Sequence, residues 1–247
     1  MNIKPYLDAT YLKTAEQDNL TTEAHAALVQ EKIQEAIAAD FKLIMIRPEW
    51  VATAKQMISA AHSQVGIGTV IDFPLGQSTT QQKIDEATQA IQNGADELDF
   101  VSNYEAFKAG KIDLVKSEIM ACTLLGMEHH KIVKWIIEVD ALSPAQIIQF
   151  TVLIKNVVIA HFKEDCYANV FVKSSTGFYP SARLVSFADP FSSIVLMVEN
   201  SFPLPVKAAG GVRSYDDAIA LIRLGVKRIG TSAAKQIAEG NAHNLNY

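Results

Sequence analysis

The chain has 247 residues, 49% of them hydrophobic and 20% charged, a balance that supplies a sizeable core and excludes an intrinsically disordered chain. A net charge of −5, with no long basic segment, argues against a nucleic-acid surface. No apolar run approaches the ~18 residues of a membrane span, the N-terminus lacks a signal-peptide stretch, and Cys122 and Cys166 show no C-x-x-C spacing, so a reducing cytoplasm is the expected location, with neither disulfide framework nor zinc cluster.

Short apolar runs alternate with segments of helical period along the whole length. In chain order the reading is strand 6–10, helix 22–39, strand 43–46, helix 50–61, strand 65–71, helix 79–93, strand 97–101 and helix 104–125. The second half gives strand 132–139, helix 145–163, strand 170–174, helix 189–200, strand 206–209, helix 215–224 and strand 228–230, with a further helical segment after it. Thr21 or Thr22, Ser143-Pro144 and Ser214 are placed to start helices, and Gly94, Gly110, Gly126 and Gly225 to end them. No Pro/Gly/Ser tract divides the chain, so residues 1–247 read as one domain. Eight βα units averaging roughly 31 residues fit an α/β fold, a single (β/α)8 TIM barrel. A doubly wound open sheet uses the same alternation, but no G-x-G-x-x-G follows the first strand. Polar residues recur at the ends of the first, fourth, fifth, sixth and seventh strands, and they converge only if the sheet closes.

Two of those residues are lysines, in Val172-Lys173-Ser174-Ser175-Thr176-Gly177 and Val206-Lys207-Ala208-Ala209-Gly210-Gly211-Val212-Arg213, 34 residues apart. That interval is one βαβ repeat, which sets the pair at equivalent positions on neighbouring parallel strands. Burying a lysine is costly, and burial with a second ammonium alongside lowers its pKa from about 10.4, leaving a nucleophilic amine. Asp99 follows an otherwise apolar strand and needs a cation or a proton-transfer role. Lys134 reads either as a third site member or as the ion-pair partner of Asp99, and Asp8 recurs at the matching place in the first unit. Gly177, Gly210-Gly211 and Gly230-Thr231-Ser232 form small-residue turns after the last three strands, where barrels often bind phosphate. His129, His130 and His161 fall on the opposite face and read as surface or packing residues, and Arg47, after the second strand, reads either as a substrate contact or, in preference, as an ordinary helix-start arginine.

These motifs together resemble the deoxyribose-phosphate aldolase family over nearly the full length. Val-Lys-Ser-Ser-Thr-Gly-Phe at 172–178 is similar to its Schiff-base motif, and Val-Lys-Ala-Ala-Gly-Gly-Val-Arg at 206–213 to its second-lysine and phosphate motif. Leu7-Asp8-Ala9-Thr10, residues 70–76, residues 97–101 and Ile229-Gly230-Thr231-Ser232 follow in the family's order. The resemblance implies a class I aldolase, needing neither cofactor nor metal, that reversibly cleaves 2-deoxy-D-ribose 5-phosphate to D-glyceraldehyde 3-phosphate and acetaldehyde. Lys173 would form the imine, Lys207 would depress its pKa, and Asp99 would assist proton relay. Asp8 and Thr10 would contact the second lysine and the substrate hydroxyl, and Gly177, Gly210, Gly211, Arg213, Gly230 and Ser232 would surround the phosphate. Tyr247 matches a C-terminal tyrosine that some members use in proton transfer. Ala9, Met45 and Ala233 stand where many members have histidine, cysteine and serine, and Phe178 where some have lysine. The alternatives are another Schiff-base phosphosugar aldolase on the same barrel and a non-catalytic sugar-phosphate binder. The expected partners are small phosphosugars and aldehydes and a second copy of the chain in a homodimer, with no nucleic acid and no membrane.

Overall fold

In the computed structural model, which describes residues 1–179 and 191–243, eight parallel strands close on themselves in chain order. They are β1 Leu7–Thr10, β2 Leu43–Ile46, β3 Gly66–Ile71, β4 Glu97–Val101, β5 Ile132–Ile136, β6 Val170–Lys173, β7 Val206–Ala209 and β8 Arg228–Thr231. Around them run α1 Thr22–Ala39, α2 Val51–Ala60, α3 Thr80–Gln92, α4 Tyr104–Lys108, α5 Ile112–Glu128, α6 Pro144–His161, α7 Ser192–Ser201, α8 Tyr215–Arg223 and α9 Ala234–His243. The expected (β/α)8 barrel is the observed one. No described helix is long and apolar enough to cross a membrane.

The strands are buried on both faces, so each side of the pleat meets a different environment. On β4 and β5 the outward residues Leu98, Phe100, Val133 and Trp135 join the large apolar core. Phe100 stacks on Trp135 at 5.1 Å, and the Trp135 indole N–H donates to Thr123 Oγ1 at 3.0 Å. The alternate residues Glu97, Asp99 and Lys134 point into the barrel, where they meet charges from other strands. On the β2–β3 side the lumen is apolar instead, filled by Leu43, Met45 and Val70 together with Leu12 from beyond β1.

Helix starts follow the sequence signals. Thr21 accepts from Ala24 N, and Thr79–Gln82, Ser143–Gln146 and Ser214–Asp217 close reciprocal capping boxes, each satisfying backbone donors that the first helical turn leaves free. Most ends fall within two residues of expectation, and the larger departures are these. The fifth strand stops at Ile136, three residues short of 139, because Glu138 adopts a left-handed φ of 56° and Val139–Ala141 form a 3-10 turn. The segment 104–125 is two helices, broken where Gly110 takes φ 74°, and the second continues to Glu128. Gly126 therefore lies inside α5. It is glycine for packing, since a Cβ there would come within 2.2 Å of Val133 Cγ2, and the chain turns at His130, φ 55°. Of the helix expected at 189–200, residues 189 and 190 lie outside the described region, and α7 runs on to Ser201.

Candidate active site

Strand register makes Lys173 and Lys207 direct neighbours, Cα opposite Cα on β6 and β7. Both amines reach one oxygen: Lys173 Nζ and Lys207 Nζ each lie 2.8 Å from Asp99 Oδ2. Lys134, which is paired with Asp99 across β4 and β5, takes the other oxygen, Oδ1, at 2.6 Å. It is thus the ion-pair partner of Asp99 and a member of the same cluster. Asp8 closes the far side, with Oδ2 at 2.6 Å from Lys207 Nζ.

Two residues that sequence reading left out complete the assembly. Arg228, opposite Lys207 in the β7–β8 register, donates from Nε to Asp8 Oδ1 at 2.7 Å and from Nη1 to Glu97 Oε1 at 2.9 Å. The second oxygen of Glu97 receives Lys134 Nζ at 2.6 Å. Glu97 and Arg228 sit at strand starts, where a charge in isolation reads as a solvated end. The only cue was that neither could reach water once the sheet closed.

Charge decides which amine is free. Lys134, Lys173, Lys207 and Arg228 face the three carboxylates Asp8, Glu97 and Asp99, so full ionisation would leave one buried positive charge in excess. Lys134, Lys207 and Arg228 each touch two carboxylates, whereas Lys173 shares a single oxygen with Lys207. Lys173 is 3% exposed. Burial pushes its ammonium down to about 8; the nearby Lys207 and Lys134 charges act in the same direction and Asp99 opposes them. Burial also works against the Lys134 ammonium, but Asp99, Glu97 and Asp8 outweigh it and hold that group above the ordinary lysine range. For Asp99, burial is overcome by Lys134, Lys173 and Lys207, which keep the carboxyl ionised, well below its usual range. Such a carboxylate is a weak base. Its contacts are those of an anchor for three amines, which fits the expected cation partner more directly than the expected proton relay.

Above the cluster a cavity of about 550 Å³ opens at the C-terminal ends of the strands, lined by Lys173, Gly177, Gly211, Arg213, Gly230 and Ser232 among others. Thr10 and Gly210 also face it, so Lys173 and the residues expected around the phosphate border one space, while Asp8, Asp99, Lys134 and Lys207 are buried outside its lining. Tyr247 lies outside the described residues. Gly230 clears the path of the second lysine: a Cβ there would meet Lys207 Cε at 3.1 Å. Gly177, Gly210 and Gly211 adopt φ of 76°, 92° and 77°, which side chains rarely tolerate. The start of α8 is not available to an anion, because Ser214 caps it and Asp216 and Asp217 occupy its first turn. The first turn of α9, just after Ser232, carries no acidic residue. Lys32 from α1 also borders the cavity, a contribution with no motif to announce it.

The turn after Lys173 is fixed from below. Glu138, buried at the end of β5, accepts from Ser175 Oγ at 2.7 Å, from Thr176 N at 3.2 Å and from the Thr176 hydroxyl. Phe178, beyond that turn, meets Phe73 edge-on at 5.0 Å, and Arg47 lies 5.4 Å over the Phe73 ring while donating to Leu12 O. The arginine thus braces the rim from a helix start.

A closed barrel whose mouth holds a buried amine of lowered basicity, a second amine and a carboxylate shared between them defines a lyase of the lysine-dependent aldolase class. Relatives give the particular family. The deoxyribose-phosphate aldolase of Streptococcus gordonii is 36% identical over 248 residues, covering 100% of both chains, and that of Streptococcus pneumoniae is 35% identical over the same span. The chain belongs to the deoxyribose-phosphate aldolase family. Among solved structures, the aldolase QR15 superposes with a TM-score of 0.81 at 27% identity over 100% of both chains. The tetrameric deoxyribose phosphate aldolase of Aeropyrum pernix gives 0.76 at 25% identity, covering 97% of this chain and 91% of that one. No protein-family model matches the chain.

Proposed function

We propose that the chain, as one barrel domain over residues 1–247, is a class I aldolase that reversibly converts 2-deoxy-D-ribose 5-phosphate into D-glyceraldehyde 3-phosphate and acetaldehyde, with Lys173 as nucleophile. The observation that carries this reading is the Lys173 amine, lowered to about 8 at the floor of a cavity rimmed by glycine turns. The neutral amine adds to the C1 aldehyde, and loss of water gives a protonated imine. Removal of the C3 hydroxyl proton then breaks the C2–C3 bond, whose electron pair flows into the iminium to give an enamine. Glyceraldehyde 3-phosphate departs; protonation at C2 and hydrolysis return Lys173 and release acetaldehyde.

Lys207 and Asp99 hold the amine and tune its charge, and Asp8 holds Lys207. Thr10 faces the sugar hydroxyls. The phosphate sits against Gly177, Gly210, Gly211, Gly230 and Ser232 with Arg213 at the rim, where backbone N–H groups and a guanidinium suit an anion. The cytoplasm is the compartment this chemistry and the two unpaired cysteines suit. Self-association, for which the tetrameric Aeropyrum pernix relative is a precedent, extends the reading to a homo-oligomer, and light scattering on the purified chain measures it.

The test is a cleavage assay on 2-deoxyribose 5-phosphate beside a panel of other phosphosugars. The expected result is preference for the 2-deoxy substrate, with Lys173→Ala lowering kcat on the order of 10³-fold or more. Preference for another sugar would assign a different Schiff-base aldolase, and phosphosugar binding without turnover a non-catalytic binder.

A further inference from the structure

Glu97 and Arg228 lie beneath the reacting amine, touch neither it nor the cavity, and yet are wired to it through both ends of the cluster. Arg228 engages Asp8, which holds Lys207, and Glu97 engages Lys134, which holds Asp99. The pair also contact each other, so six charged groups form a closed ring in the barrel interior and Lys173 is attached to it through Asp99. All are buried, where charges are weakly screened and interact over distances that solvent would suppress. Six of the seven side chains have their charges opposed on two sides or shared three ways. Lys173 alone stands at the top with one shared contact and an opening to the cavity.

We propose that Glu97 and Arg228 are positioning residues for the reaction, whose charges set the excess of the buried cluster and so decide that the Lys173 amine is the group left without its proton. This rests on Lys173 as the nucleophile. The groups that face Lys173 are Asp99 from β4, Lys134 from β5 and Lys207 from β7, with Asp8 from β1, Glu97 from β4 and Arg228 from β8 behind them. Removing the Arg228 charge equalises cations and anions and so takes away the positive excess that adds to burial in disfavouring the Lys173 ammonium. Removing the Glu97 charge raises the positive excess and drives the proton off more readily. Removing both restores the original excess of one. A purely structural role makes no such signed, cancelling pattern, because loss of packing would harm each variant in the same direction.

The readout is the pH dependence of Lys173 acetylation by trace acetic anhydride, followed by peptide mass mapping, which reports the amine's proton affinity without any need for turnover. Arg228→Gln moves the midpoint up, and Glu97→Gln moves it down, each by about one pH unit. The double variant returns close to the parent, and so does Arg228→Lys, which keeps the charge and serves if Arg228→Gln does not fold. Midpoints that do not move, that move together, or that shift by as much in Arg228→Lys as in Arg228→Gln would overturn the proposal. Parent chain whose Lys173 titrates as expected but forms no borohydride-trapped adduct with acetaldehyde would instead overturn the nucleophile assignment while leaving the charge ring intact.

Discussion

Lys173 holds a functional group at the expense of stability, and the sign of that expense is measurable. Its ammonium, lowered from 10.5 to about 8 by burial and the neighbouring cations, is disfavoured in the folded chain below pH 8 and not in the unfolded chain. Between about 8 and 10.5 the unfolded state binds more protons, so folding stability gains with pH across that window. Lys173→Met, which leaves Asp99 with Lys134 and Lys207, is therefore expected to be inactive yet more stable than the parent at pH 7, by about 3 kcal/mol. Urea melts at pH 7 and pH 10 check it, and the advantage should have largely vanished at the higher pH. The same midpoint governs imine formation in the parent, whose rate should rise through pH 8 as the amine loses its proton. Met45 makes a second prediction at this scale. It is fully buried in the apolar side of the lumen against Leu43 and Val70, and its thioether cannot form the thiol adducts open to a cysteine. Activity should survive prolonged exposure to high acetaldehyde, and rapid irreversible loss with an adduct mapped to this pocket would contradict that.

The elements show why some of the site was legible and some was not. Strand ends with Lys173, Lys207 and Asp99 are recognisable because each breaks an apolar run, and βα spacing assigns them neighbouring places. Lys83 breaks nothing: on α3 it occupies what a helical pattern reads as an ordinary polar position. In the fold it is fully buried, ion-paired with Glu118 at 2.8 Å and Asp72 at 3.4 Å, and it donates to Val101 O at 2.7 Å and Gly76 O at 3.2 Å. It thus ties the β3–α3 turn, which carries Phe73, to the end of β4. Glu118 in turn accepts from Asn103 N at 3.0 Å, joining the α4 start to the same hub. Lys83→Met would leave Glu118 buried without its cation and should cost about 3–5 kcal/mol. Thermal melts should show that loss, with KM for the phosphosugar rising more than kcat falls as the Phe73–Phe178 wall loosens. An unchanged melting temperature would remove the hub from the account. The break of 104–125 into α4 and α5 belongs to the same scale, since Gly110 was read as a helix end without the restart at Ile112.

For the molecule as a whole, closure of the sheet turns a list of strand-end residues into one site, and that step was legible from unit length and alternation together with the missing G-x-G-x-x-G and the recurrence of polar residues at strand ends. Closure also created what no single strand announces, a barrel interior divided between an apolar side on β2 and β3 and a cluster of seven charges from β1, β4, β5, β6, β7 and β8, six of them in a closed ring with Lys173 attached. Glu97 and Arg228 belong to that ring by three-dimensional register, so their meaning depends on strands distant in sequence. The central claim is that this ring delivers one nucleophilic amine to the cavity, and it is tested most directly by borohydride reduction in the presence of acetaldehyde, followed by peptide mass mapping. The account predicts a stoichiometric ethyl group on Lys173, absent in Lys173→Ala. No adduct, or an adduct on Lys207 in place of Lys173, would contradict it.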